Sequence, residues 1–106
     1  MNPAEQAHLL AAPTPREAKG RGRRVTLRPD WNTGGRMLAM RHVLRSKLAP
    51  HSDLTRRLVA TGGLVLVETN HWHDQFWDDC TCPAHATVLG THMLGELLMA
   101  TRSMNR

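Results

Sequence analysis

Apolar residues recur at helical spacing in two stretches of this chain and bunch together in a third, and that contrast sets the expected elements. Met37, Leu38, Met40, Val43, Leu44 and Leu48 fall on one face, with Arg36, Arg41, Arg45 and Lys47 largely outward, which predicts an amphipathic helix. Met93, Leu94, Leu97, Leu98 and Met104 predict a terminal helix in the same way. Leu64-Val65-Leu66-Val67-Glu68 is instead a short, Val-rich run, and it predicts a buried strand. From Thr69 to Gly90 the sequence turns polar and rich in Trp and His. A stretch of that length without periodicity reads as a functional loop.

Capping residues mark the remaining helix ends. Asn2-Pro3 before Ala4-Glu5-Gln6-Ala7 combines an N-cap side chain, proline at the first helical position and an early acid, predicting a helix to about Ala12. Thr14-Pro15-Arg16-Glu17 predicts a second start, with Thr14 and Glu17 closing a reciprocal capping box, and Gly20 and Gly22 should end it quickly. Val25-Thr26-Leu27-Arg28 is extended in pattern because Pro29 disfavours helix at Arg28. Asp30 is then the next N-cap candidate, with Trp31 at the mouth of the helix that follows. Pro50 stops the basic-faced helix, and Ser52 caps another carrying Leu54, Leu58 and Val59. Thr61-Gly62-Gly63 closes that one. The expected fold class is mainly α: a small helical domain with one or two short strands.

At 106 residues the chain has room for one domain and a modest core. Three Trp, one Phe and no Tyr leave Leu, Val, Met and Ala to fill it. A net charge of +5 favours anionic partners such as nucleotides, phosphate or nucleic acid. The excess sits in Arg16, Lys19, Arg21, Arg23, Arg24 and Arg28, whose plainest reading is a solvated face. Cys80 and Cys82 are too close for an easy disulfide and no signal segment is visible, so a reducing, cytoplasmic setting is expected. The apolar runs fall far short of the roughly 20 residues a membrane span needs.

Candidate chemistry concentrates in His71-Trp72-His73-Asp74-Gln75-Phe76-Trp77-Asp78-Asp79. Breaking a ribosyl–base bond develops an oxocarbenium-like centre, which calls for a carboxylate to stabilise it or activate water and an aromatic face to hold the base. Asp74 and Trp31 could supply these; Glu68 and Asp78 are second choices for the carboxylate. The plain alternative is that Trp72, Phe76 and Trp77 pack beneath the loop while the carboxylates stay solvated.

An ordered set of motifs goes further. Thr14-Pro15-Arg16-Glu17-Ala18-Lys19, Gly22-Arg23, Leu27-Arg28-Pro29-Asp30-Trp31, Met40 with Leu44 and Lys47, Leu58 with Thr61-Gly62, and Leu66-Val67-Glu68 stand in that order. Asp74 with Phe76-Trp77, Gly90-Thr91-His92-Met93-Leu94-Gly95 and Leu97-Leu98-Met99 to Arg102 continue it. Together they resemble the YbiA-like family, also called NADAR for its link to NAD and ADP-ribose.

The resemblance implies a mostly helical fold and an N-glycosidase or ADP-ribosyl hydrolase activity, on riboflavin-pathway intermediates or ADP-ribosylated bases. The implied ligand is a nucleotide or ADP-ribosyl small molecule, or an ADP-ribosylated base of a nucleic acid, with neither metal nor other cofactor. Trp31 and Asp74 match the family's catalytic Trp and Asp. Lys19, Arg23, Arg28, Trp77 and His92 are the expected substrate contacts. The family's early Glu, in a Glu-His motif, has no counterpart, so residues 1–106 are expected to be the C-terminal two-thirds of a domain whose start is missing. Two positions depart from the family pattern: Asp78 stands where glycine is usual and His92 where asparagine is usual. The departures allow a second expectation, a non-catalytic nucleotide-binding fragment that needs the missing segment.

Three other readings rank below this one. Cys80, Cys82 and His85, with His71 and His73 nearby, are ligand-type residues, but Cys-x-Cys is not the two-residue spacing of zinc knuckles and no second pair follows. Incidental thiols without metal are therefore expected. Arg16 to Arg28 lacks the interleaved aromatics that base stacking requires. Cys80 as a nucleophile has no partner that sequence can place.

Overall fold

Helix starts follow the capping chemistry closely, and they set the frame of the computed structural model, which describes all residues from Met1 to Arg106. In order, the elements are α1 (Pro3–Leu10), α2 (Pro15–Gly22), a 3₁₀ turn (Trp31–Thr33), α3 (Gly35–Lys47) and α4 (Asp53–Ala60). They continue with β1 (Thr69–Asn70), β2 (Asp79–Cys80), a second 3₁₀ turn (Pro83–His85) and α5 (Met93–Met104). The mainly α expectation is met. No helix is long and apolar enough to cross a membrane. The chain divides into two units, Met1–Ala39 and Met40–Arg106.

In the first unit, α1 has a complete capping box: the Asn2 side chain accepts from the Glu5 amide at 2.8 Å and Glu5 accepts from the Asn2 amide at 3.1 Å. The box expected at α2 is only half formed. Thr14 accepts from the Glu17 amide at 3.2 Å, but the Glu17 carboxylate turns along the helix to Arg21, 3.7 Å away, because an i,i+4 cation competes for it. Helix α2 also runs through Gly20 to Gly22, since one glycine lowers helix propensity by only about 1 kcal/mol. Glu5 reaches across to the amide and hydroxyl of Thr26, and Arg21 donates to the His8 carbonyl. Neither α1 nor α2 contains a buried residue.

Asp30 does not cap by its side chain, contrary to expectation. Its carboxylate is taken by Arg28, and its carbonyl instead accepts the amides of Thr33 and Gly35 at 3.1 and 3.0 Å. The first turn after it is consequently 3₁₀, and α3 begins only at Gly35.

The second unit contains the core. Leu44 of α3, Leu48 just past its end and Leu58 of α4 are buried together, with Met40, Leu66, Leu94, Leu97 and Leu98 packed against them. Met40 and Leu44 are one stripe of α3, continued by Leu48 in the turn after it, and Leu94, Leu97 and Leu98 are one stripe of α5. Each buried leucine contributes about 1.5–3 kcal/mol over an exposed one. The predicted stripes were too wide: Leu38, Val43, Leu54 and Met104 are exposed, lying off the narrow face that meets the core. Ser52 caps α4 as expected, accepting from the Thr55 amide at 3.2 Å.

Leu64–Glu68 is not a buried strand. Leu64, Val65 and Val67 are exposed and only Leu66 packs inward; the segment is held from its other side. Arg102 of α5, 5% exposed, donates to the Leu64 carbonyl and the Thr61 hydroxyl, both at 2.8 Å. Gly95 packs so closely that a β-carbon there would overlap the Leu66 carbonyl. Strand pairing begins one residue later, where β1 and β2 run parallel with Thr69 opposite Asp79 and Asn70 opposite Cys80.

Candidate functional site

The segment between β1 and α5 is irregular but densely hydrogen-bonded, and its organiser is Asn70. This side chain is 4% exposed. Its Oδ1 accepts the amides of Trp72 and Asp74 at 3.0 and 3.1 Å, and its Nδ2 donates to the Asp74 carbonyl at 2.8 Å. Gln75 is a second tie: Oε1 accepts the Cys80 amide at 2.7 Å and Nε2 donates to the Val88 carbonyl at 3.1 Å. Sequence reasoning missed both, although a polar amide at a strand end before a long loop is the residue type that closes such turns.

Asp74 sits at the centre of the turn that Asn70 builds. Its Oδ1 accepts the amides of Phe76 and Trp77, each at 3.0 Å, and its Oδ2 takes no protein hydrogen bond. One oxygen thus anchors the carboxylate while the other stays available. Trp77 is half-buried and stands edge-on to Phe76, with ring centroids 4.6 Å apart. Trp72 does not pack beneath the loop: it is 54% exposed and meets His71 edge to face.

The stretch Gln75–Trp77 then docks on the entrance to α5. Amides of Thr91, Met93 and Leu94 donate to the carbonyls of Gln75, Phe76 and Trp77, so the first amides of α5 already have backbone partners. Gly90 donates to the Asp79 carboxylate at 2.8 Å, and a β-carbon on it would overlap the Asp78 carbonyl. Asp78 itself is buried. His92, at the N-cap of α5, has left-handed backbone with φ 37°. Its ring Nδ1 lies 3.6 Å from the Glu96 carboxylate, a contact that becomes an ion pair only when the imidazole is protonated.

Asp74, Trp77 and His92 therefore belong to one hydrogen-bonded stretch of the second unit, in which the backbone of 75–77 pairs with that of 91–94. Glu68, exposed at the start of the stretch, contributes its carbonyl to Asp79. The other predicted residues belong to the first unit. Trp31 is half-buried and its amide donates to the Arg28 carbonyl. Lys19 and Arg23 are exposed. Arg28 is closed on Asp30, with Nε to Oδ1 at 3.1 Å and NH2 to Oδ2 at 3.2 Å.

Concavities mark the second unit in several places. One, of about 460 Å³, lies between α3 and α5, with Leu44, Leu48 and Leu97 on its floor and Arg41 and Arg45 beside them. Another, of about 440 Å³, adjoins Cys80, His85 and Val88. No predicted site residue lines either of these, whereas Glu68, a second-choice carboxylate, lines a third of about 350 Å³ beside Leu94 and Leu98.

Four ligand-type side chains also converge in the loop. The donor atoms of His73, Cys80, Cys82 and His85 all lie within 4.8 Å of one another, and both thiols are free and buried. Cys82 Sγ is 3.3 Å from His73 Nδ1 and 3.1 Å from His85 Nδ1. Burial pushes the Cys80 thiol up, but hydrogen bonds from the backbone and side chain of Cys82 and the backbone of His73 outweigh it, so its pKa is lowered.

A mainly helical domain with a two-stranded sheet fits the architecture expected from the motifs. The family comparison matches the NADAR domain over residues 1–105, and the chain belongs to that family, which is generally associated with N-glycosidase-like activity. Comparisons with curated proteins and with solved structures give no match.

Proposed function

We propose that the chain is an N-glycosidase-type hydrolase acting on N-ribosyl bonds of nucleotide-like substrates, either riboflavin-pathway intermediates or ADP-ribosylated bases. Family membership over residues 1–105 supports the reaction class. The observation that carries it to a residue is Asp74, whose Oδ1 is held by two amides while Oδ2 is left for a ligand. As the bond to the base breaks, positive charge develops at the anomeric carbon; a carboxylate oxygen fixed against it lowers the barrier or draws a proton from the attacking water. Fixing Oδ1 in advance removes reorganisation at that moment. Trp77 offers an aromatic surface, and His92 a ring nitrogen for a hydroxyl or phosphate of the ligand.

In the first unit, Trp31 is the proposed partner of the base, and Lys19, Arg23 and Arg28 the proposed phosphate contacts. Arg28 would exchange its carboxylate partner for phosphate, which its bidentate fork suits equally well. The expected setting is a reducing cytoplasm, with a free nucleotide, an ADP-ribosyl compound or an ADP-ribosylated nucleic-acid base as partner.

A second reading, ligand binding without hydrolysis, is favoured by the work Asp74 already performs as a turn cap. Incubation with ADP-ribosylated guanosine and with the ribosylaminopyrimidine of the riboflavin pathway, followed by chromatography of the released base, separates the two. Base release that Asp74→Asn abolishes supports the hydrolase. Binding without release supports the second reading, and neither binding nor release removes both.

A further inference from the structure

We propose that His73, Cys80, Cys82 and His85 form a closed, structural zinc site that staples the loop carrying Asp74. A tetrahedral ion with Zn–S near 2.3 Å and Zn–N near 2.0–2.1 Å requires ligand atoms roughly 3.3–3.8 Å apart. The separations between Cys82 Sγ and the two imidazole nitrogens are 3.3 and 3.1 Å, and the two Nδ1 atoms are 3.5 Å apart. Cys80 Sγ completes the set within 4.8 Å of the other three and accepts the His73 amide at 3.3 Å.

The local backbone explains why a one-residue cysteine spacing serves here. Cys80 ends β2 and Cys82 is extended, with φ −65° and ψ 161°. Side chains two apart on an extended segment share a face. Cys82 then caps the turn Pro83–His85, and residues three apart on a 3₁₀ turn eclipse, which sets His85 beside Cys82. The fourth ligand comes from the connection between the strands, where His73 has left-handed backbone, φ 72°. Sequence spacing weighed against a knuckle could not register that return.

The donor chemistry selects the ion. Nδ1 of each imidazole faces the other and the Cys82 sulfur, so lone pairs from three atoms can converge on one cation. Two thiols and two imidazoles suit zinc rather than calcium or magnesium, and four protein ligands leave no open position for substrate. Both thiols are nearly inaccessible, at 2% and 8% exposure. A unit whose buried apolar core is three leucines also gains most from such a cross-link.

The site is independent of the hydrolase reading and is tested without substrate. Full-length protein purified under reducing conditions without added metal should carry one zinc per chain by elemental analysis. Cobalt replacement should give tetrahedral ligand-field and thiolate charge-transfer absorption. Cys82→Ser and His85→Ala should weaken cobalt binding by about a hundredfold or more, whereas His71→Ala, outside the cluster, should leave it unchanged. Should the ligand variants not fold, chelator lowering the melting temperature of the wild-type chain carries the same test. Reduced wild-type protein that retains no zinc and gives no cobalt spectrum, or a Cys80–Cys82 disulfide trapped on isolation, would overturn the proposal.

Discussion

The two units of this chain are held by different physics. In the first, α1 and α2 bury nothing, and their ties are exposed hydrogen bonds and an ion pair, each worth little in water. In the second, three buried leucines sit under three helices, and a polar loop is locked by side chains as inaccessible as Asn70. Charge divides in the same sense. Residues 1–39 hold 7 Lys and Arg against 3 Asp and Glu, residues 40–106 hold 7 against 6, giving +4 and +1. Stability is thus concentrated in the unit that carries Asp74, and attraction for anions in the other.

The sharpest break of that contrast is at Gly95. Replacing it with Ala forces a β-carbon into the Leu66 carbonyl, and backbone cannot yield as a side-chain end can. A loss of about 3 kcal/mol is expected in denaturant titration. Asn70→Ala should come next, at about 2 kcal/mol, because two amides and a carbonyl lose their buried partner. An unchanged midpoint in that variant would mean that the loop is not part of the unit's cooperative structure.

Asp74→Ala removes the acceptor of two amides and should cost about 1 kcal/mol. Asp74→Asn keeps an acceptor and should stay within about 0.5 kcal/mol of wild type. If base release falls equally in both variants while only the first is destabilised, chemistry and turn closure are separated at one residue.

The smallest effect belongs to the first unit. Hydrogen bonds from the Asn2 amide and from the amide and hydroxyl of Thr26 lower the pKa of Glu5. A lowered carboxylate contributes stability above its ordinary value and loses it as pH falls through the folded one. Acid should therefore loosen α1, seen as faster amide exchange at Glu5 and Thr26, and Glu5→Gln should remove that pH dependence. Wild-type exchange that does not change between neutral and acid pH, after correction for intrinsic rates, would contradict it.

Much of the helical frame was legible because helices are local. Asn2, Thr14 and Ser52 each cap the helix that follows, as their residue types require. Misreadings arose where one side chain had two possible partners. Glu17 chose Arg21 over the Thr14 amide, and the Asp30 carboxylate chose Arg28 over a capping role. The strand expected at Leu64–Glu68 failed for a longer-range reason: Arg102 takes the Leu64 carbonyl as an acceptor and Gly95 packs directly against the Leu66 carbonyl, both from distant α5. The left-handed backbone at His92 is uncommon outside glycine, and the residue type alone does not announce it.

By itself the sequence determined the starts of α1, α2 and α4, the inward residues of α3 and α5, the basic bias and the membership in the NADAR family, since these depend on short spacings and on ordered motifs. Only the tertiary structure decided how the segment from β1 to α5 closes. Its contacts run from Asn70 to Asp74, from Gln75 to Cys80 and Val88, and from His73 to Cys82 and His85. They join polar side chains to backbone groups or to other side chains several residues away, with no periodicity to mark them. That is also why the residue types of the cysteine and histidine cluster were visible from the start while its convergence was not.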